Sequence, residues 1–319
     1  MNRARLPAEA VLAANRIAPY IRETPLDPSP YFSEVTGANV WLKLENLQHT
    51  GSFKLRGAFN KLLTMTEEER AQGVVAASSG NHGAAVSYAA ARLGVDAIVF
   101  VPEQSSTTKV DAIRRHGADV RFFGNDGLDT ETHARQYAAE HGMQYLSPYN
   151  DMAVVAGQGS CGVEIARQLQ QVDAAFIAVG GGGLISGVAA FLKSVNARLS
   201  IVSCQPAASA VMTESVRSGH ILELPGDVTL SDGTAGGIEA GAVTFDLCRE
   251  LVTEFVTVSE AEISEAMRNF IDTHHMLLEG AAGVALAGLK ASERRYRDQN
   301  VVVIICGGNI SRETLRAVI

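Results

Sequence analysis

The sequence predicts an α/β protein of two lobes, each an open, mostly parallel sheet flanked by helices. Three observations carry that expectation. From Gly73 onward, short β-branched or apolar runs at 74–75, 97–101 and 120–123 alternate with helical patterns. Three of those helices stop at glycine, at Gly94, Gly117 and Gly142, the residue that takes the left-handed conformation without a Cβ clash. The final apolar run, 301–305, is continuous rather than alternating, as expected of a central strand covered on both faces. Strand–helix alternation with short connections gives right-handed crossovers and parallel pairing.

In chain order, residues 7–21 read as a helix opening at Pro7, a residue tolerated in the first turn. Pro25, Pro28 and Pro30 then predict an extended, turn-rich passage, and 39–45 alternates like a half-buried strand. A helical pattern covers 58–65. A second set follows Pro148: a helix over 154–169, a strand over 175–179, a helix over 185–195 and a strand over 201–204. Ser259 and Glu262 form a capping box for a helix running toward Met276. Gly, Pro, Asp and Thr accumulate between 219 and 244, which reads as a long loop.

Bulk properties exclude several classes. A net charge of −8 gives no electrostatic footprint for nucleic acid or an anionic membrane. No apolar run approaches a membrane span, and residues 1–25 lack a signal-peptide core. Cys161, Cys204, Cys248 and Cys306 have no CxxC spacing, so neither a zinc site nor a disulfide framework is indicated, and a cytoplasmic protein is expected.

Three stretches carry chemistry. Lys54, one of six lysines, lies between Phe53 and Leu55 with no acidic neighbour in sequence. Burial disfavours its charged form, and a neutral amine is a nucleophile toward an aldehyde or ketone. Gly180, Gly181, Gly182 and Gly183 sit between a strand and a helix, where uncovered N–H groups and the helix dipole suit a phosphate. A dinucleotide site is the alternative, on Gly181, Gly183 and Gly187. That site wants a carboxylate at the end of the next strand, which here reads Ser203-Cys204-Gln205. Ser78, Ser79, Gly80, Asn81, His82 and Gly83 form another strand-to-helix junction, suited to a small carboxylate or to ordinary N-capping. His274 and His275, adjacent on a helix, point about 100° apart and cannot pair on a metal. A reactive lysine, a phosphate cradle and a carboxylate cradle together describe pyridoxal phosphate acting on an amino acid.

The stretches 52–57, 78–83, 180–184 and 306–309 occur in an order and spacing that resembles the fold-type-II pyridoxal-phosphate enzymes, nearest the threonine/serine dehydratases and serine racemase. The resemblance covers nearly the whole chain. It implies a tryptophan-synthase-β-like fold, with a large cofactor-binding domain from 1–66 and 147–319, a small domain from 67–146, and the active site between them. It also implies a homodimer. Lys54 would carry the cofactor as a Schiff base, with Phe53 packed beside the ring and Asn81 on the ring hydroxyl. Gly180, Gly181, Gly182, Gly183 and Leu184 would hold the phosphate. Ser78, Ser79, Asn81 and His82 would bind the substrate, Ser79 lying opposite Lys54 as a second catalytic group, and Glu279 would lie near the cofactor.

Departures refine the expectation. Cys306 stands where racemases carry serine against the pyridine nitrogen, and a neutral thiol would leave that nitrogen unprotonated, favouring prompt β-elimination. Gln205 and Val211 replace the cation ligands of the racemases, so no metal is expected. Tyr149 follows Pro148 as in threonine dehydratases. With thirteen residues after Cys306, the regulatory domain of biosynthetic threonine dehydratases is expected to be absent. The function implied is β-elimination of water from a 3-hydroxy amino acid, threonine or serine in type. The alternatives are serine racemase, a dehydratase for a bulkier or acidic substrate such as phenylserine or hydroxyaspartate, and, more remotely, an NAD(P) oxidoreductase.

Overall fold

A computed structural model describes residues 3–292 and 294–319. Its strands, in chain order, are β1 (Leu26–Pro28), β2 (Asn39–Leu44), β3 (Val74–Ala77), β4 (Ala97–Val101) and β5 (Asp119–Phe122). They continue with β6 (Gln144–Tyr145), β7 (Ala174–Ala178), β8 (Ser200–Pro206), β9 (Glu254–Val258) and β10 (Asn300–Ile305). They form two sheets, ordered β1-β2-β10-β7-β8-β9 and β5-β4-β3-β6. Every pairing is parallel except β1 with β2. β10 is central as expected, pairing Val301 with Val40 on one side and with Ala174 on the other.

The proline-rich passage departs from the sequence expectation. Only β1 is extended, and a helix, Pro30–Thr36, follows at once. Ser29 caps it by accepting the Phe32 N–H, Pro30 sits in the first turn, and Gly37 closes it at φ 73°. Proline there breaks no hydrogen bond, because the first-turn N–H has no intrahelical partner. Strand β2 is not half-buried either: Lys43, read as its polar face, is fully buried. The helix Lys54–Thr64 starts earlier than the expected 58, because its buried face includes Arg56 and Asn60, which pattern as solvent-facing. The helix Gly280–Ala291 left no amphipathic signal, being almost wholly buried and built from small residues.

Small residues also set how closely helices meet. A Cβ on Gly187 would lie 2.2 Å from the Val155 carbonyl oxygen, so helices Met152–Gln168 and Gly183–Val195 touch backbone to backbone. Gly187→Ala forces them apart and is expected to cost about 1–3 kcal/mol, read as a lowered midpoint in urea denaturation. This contact anchors the start of Gly183–Val195, the element that presents the four-glycine loop.

Candidate active site

The Lys54 loop is fastened to the end of β10. Ser52 bridges Gly307, the Phe53 N–H donates to the Cys306 carbonyl at 3.0 Å, and the Gly308 N–H donates to Gly51 at 2.9 Å. Lys54 is therefore delivered at a helix start beside the strand tip, where its amine donates to the Pro148 carbonyl at 3.2 Å. Burial lowers its pKa to about 8, although the Glu279 carboxylate pulls it back up. Folding thus supplies an acidic neighbour, Glu279, that Lys54 lacks along the sequence. The Phe53 ring centroid lies 5.2 Å from the amine.

Two residues further along the same helix, Arg56 enters a buried ion quartet that sequence reasoning missed. The Arg56 guanidinium donates to both oxygens of Glu45, each at 2.7 Å, and to both of Glu164, at 2.6 and 2.7 Å. Lys43 donates to Glu164 at 2.7 Å, and also to Thr24 and Gln168. Burial alone would raise the Glu45 pKa, yet Arg56 offsets this and holds it below the carboxylate range. Two positive and two negative groups balance, so the cluster tolerates low dielectric while tying the Lys54 helix to β2 and to Met152–Gln168. No local signal marked it, because Lys43 in NVWLKL alternates with Val40, Leu42 and Leu44 onto the polar face of the strand.

The four glycines lie between β7 and the helix Gly183–Val195. Among the described residues, no acceptor faces the N–H groups of Gly181, Gly182, Gly183 and Leu184. Glycine is required by packing as well: a Cβ on Gly181 would sit 2.3 Å from the Tyr149 ring, and one on Gly180 3.0 Å from Thr234. Thr244 donates to the Gly181 carbonyl at 2.6 Å, turning that oxygen away and leaving the N–H side open. The loop presents unpaired N–H groups at a helix N-terminus, an arrangement that suits an anion.

The 78–83 loop supplies the second cradle, at the start of helix Asn81–Leu93. Ser78 Oγ accepts the Gly80 N–H, while the N–H groups of Ser79, Asn81 and His82 have no acceptor among the described residues. The His82 ring is buried against the Leu146 carbonyl at 2.7 Å, and burial together with the Lys54 charge lowers its pKa to about 3. The neutral imidazole is committed to Leu146, and the His82 backbone N–H is left open at the helix start. The Asn81 amide donates to both Glu279 oxygens at 2.9 Å. Burial raises Glu279 to about 7, and Cys306 Sγ lies 3.9 Å from its Oε1. Burial also pushes the Cys306 thiol well above its ordinary value, keeping it neutral. Gln205 is buried and accepts from both the N–H and the hydroxyl of Thr213.

The long loop between the helices Val211–Ser218 and Val243–Leu251 crosses the seam. Lys109 of the four-stranded lobe meets its Asp232 at 2.9 Å, and Arg135 meets its Glu239 at 2.8 Å. The Tyr149 hydroxyl accepts the Glu239 N–H at 2.9 Å.

A nucleophilic amine, an open anion cradle and a neutral thiol converge where two parallel sheets meet, which is a setting for a phosphorylated aldehyde. The donor set fits pyridoxal phosphate. The unpaired N–H groups suit its phosphate, Lys54 suits its carbonyl, and Ser52 Oγ, two residues away, is buried without a partner. This is an enzyme that works through a carbonyl cofactor. A model of the family "Pyridoxal-phosphate dependent enzyme" matches residues 17–307, and the chain belongs to that family. It is 38% identical over 307 residues to a catabolic L-threonine dehydratase, TdcB, of Staphylococcus aureus, covering 95% of this chain and 88% of that one. The processed threonine deaminase isoform 2 of Solanum lycopersicum superposes with TM-score 0.93 at 36% identity, over 98% of this chain and 92% of that one. Maize serine racemase gives TM-score 0.92 at 29% identity, over 98% and 95%. Among the described residues no helix is long and apolar enough to cross a membrane.

Proposed function

We propose that this enzyme is an ammonia-lyase that removes water from a 3-hydroxy amino acid of the threonine or serine type, releasing a 2-oxo acid and ammonia. The observation that carries the reading is Lys54: an amine with its pKa lowered to about 8 in the seam between two anion cradles. Pyridoxal phosphate, when bound, supplies an electron sink that acidifies the hydrogen on the substrate α-carbon. The chain's residues do the rest. The backbone N–H groups of Gly181, Gly182, Gly183 and Leu184 hold the phosphate, and those of Ser79, Asn81 and His82 orient the substrate carboxylate, with the Ser78 and Ser79 side chains beside it. Lys54 Nζ takes the α-proton as general base, and a base of pKa near 8 is matched to that task. The neutral Cys306 thiol would stand against the cofactor ring without protonating its nitrogen, which supports elimination over reversible proton return. We divide the chain into a large domain, 1–66 and 147–319, and a small domain, 67–146, a reading that the separate six- and four-stranded sheets support. We place the enzyme in the cytoplasm as a homodimer. The buried free thiols of Cys161, Cys204, Cys248 and Cys306 suit a reducing compartment.

The likeness to maize serine racemase supports a second reading, racemisation of serine, with Ser79 opposite Lys54. One experiment separates them. The purified yellow protein is offered D- and L-threonine, serine, phenylserine and 3-hydroxyaspartate, and 2-oxo acid is measured. Pyruvate or 2-oxobutanoate is the expected product. D-serine exceeding pyruvate from L-serine would establish the racemase instead.

A further inference from the structure

We propose that Asn309 is a positioning residue that fixes which way the amide of Asn81 faces, and acts on the cofactor only through Asn81. The proposal rests on the reading that Asn81 presents its amide to the cofactor ring.

The argument is one of donors and acceptors. Asn309 Nδ2 donates to the Thr50 carbonyl at 2.9 Å and to Asn81 Oδ1 at 2.7 Å. Turning the Asn309 amide over would set its oxygen against two acceptors, so the orientation is fixed. Asn81 Oδ1 is thereby committed as an acceptor, and its NH2 must face the opposite way, toward Glu279 and the site. The surroundings are shaped to keep Asn309 there. A Cβ on Gly51, which lies at φ 72°, would sit 2.7 Å from Asn309 Oδ1, and one on Gly307 would sit 2.5 Å from Glu279 Oε1. Asn81 comes from the four-stranded lobe, while Thr50, Glu279 and Asn309 come from the six-stranded one. The relay therefore sets a cofactor-facing donor from across the seam. Asn309 itself is exposed, so its hydrogen bonds contribute little to folding and much to orientation.

Aspartate at 309 is nearly isosteric but only accepts. It draws the Asn81 NH2 toward itself and turns the Asn81 carbonyl toward Glu279 and the cofactor. Alanine leaves Asn81 free to choose. Binding of pyridoxal 5'-phosphate to the cofactor-stripped full chain is measured by absorbance at pH 8.5, where Glu279, with its pKa near 7, is ionised. Asn309→Asp is expected to weaken binding at least about tenfold, more than Asn309→Ala, as for loss of a hydrogen bond to an ionised group. Cofactor-free melting temperatures should stay within about 2 °C of the parent, since surface changes cost little. In an Asn81→Ala background the same Asn309→Asp change should alter affinity less than about twofold, which removes any direct effect of the new charge. Parent-like affinity in Asn309→Asp, an alanine variant as weak as the aspartate, or a loss that persists without Asn81 overturns the proposal. So does a large drop in the melting temperature of both variants, which would make the role structural. If Asn81→Ala weakens binding while Asn309→Asp does not, only the Asn309 role fails. If Asn81→Ala binds like the parent, the reading of Asn81 itself fails.

Discussion

Lys54→Ala is expected to yield a folded protein whose turnover is lower by about four orders of magnitude, the upper range for losing a general base. Borohydride should no longer fix cofactor to the chain. The other lysines cannot substitute. Lys43 is held by Glu164, Lys61 by Asp151, Lys109 by Asp232 and Lys290 by Glu265. Lys193 lies in the last turn of Gly183–Val195, away from the loop at its start. Among the described residues Lys54 donates to a carbonyl and to no carboxylate. The pH dependence follows from its pKa, lowered from 10.5 to about 8 by burial. The neutral, reactive amine grows as pH rises through 8, so the rate of cofactor attachment to the stripped chain should climb with a midpoint there. Residual turnover near the parent value, or borohydride labelling of another lysine peptide, would remove Lys54 from its proposed role.

Arg56→Met is expected to cost stability on a scale few single changes reach. Methionine matches the aliphatic stem but leaves Glu45 and Glu164 buried, with only Lys43 to balance two carboxylates. Removing one partner of a buried pair costs about 3–5 kcal/mol, read as a shift in the urea midpoint. The sign with pH is set by Glu45, whose folded pKa is held below its ordinary value by Arg56. That contribution is present above the unfolded carboxylate pKa and is lost as pH falls through the folded one. The parent should therefore lose stability into acid more steeply than Arg56→Met does. An unchanged urea midpoint would mean that the quartet adds nothing net.

The sequence made much of this legible for definite reasons. Residues 97–101 and 301–305 were runs only a buried strand explains, and the Ser259–Glu262 capping box opens Glu260–His274 as expected. The lysine and both cradles were visible because glycine runs and a lysine among apolar residues are unusual locally. What stayed hidden was pairwise. Arg56 and Lys43 look like surface charges until Glu45 and Glu164 arrive from other elements. Asn309 was one letter of a motif until Thr50 and Asn81 gave its amide a direction. Pro30 hid a helix because a proline in a first turn has the same composition as a proline in a loop.

The strand order also sets when this enzyme can come into being. In a growing chain β2 appears early, yet its inner neighbour β10 is the last strand among the described residues, and β10 alone joins β1 and β2 to β7, β8 and β9. The four-stranded sheet draws on residues 74–145 alone and can close while the rest is still being made. The larger sheet must wait for residue 305, and so must the Lys54 loop, whose backbone partners are Cys306, Gly307 and Gly308. A chain interrupted before that point keeps its amine but lacks the strand tip to which the Lys54 loop is fastened. The reactive group is thereby kept unassembled until residues 306–308 have been made.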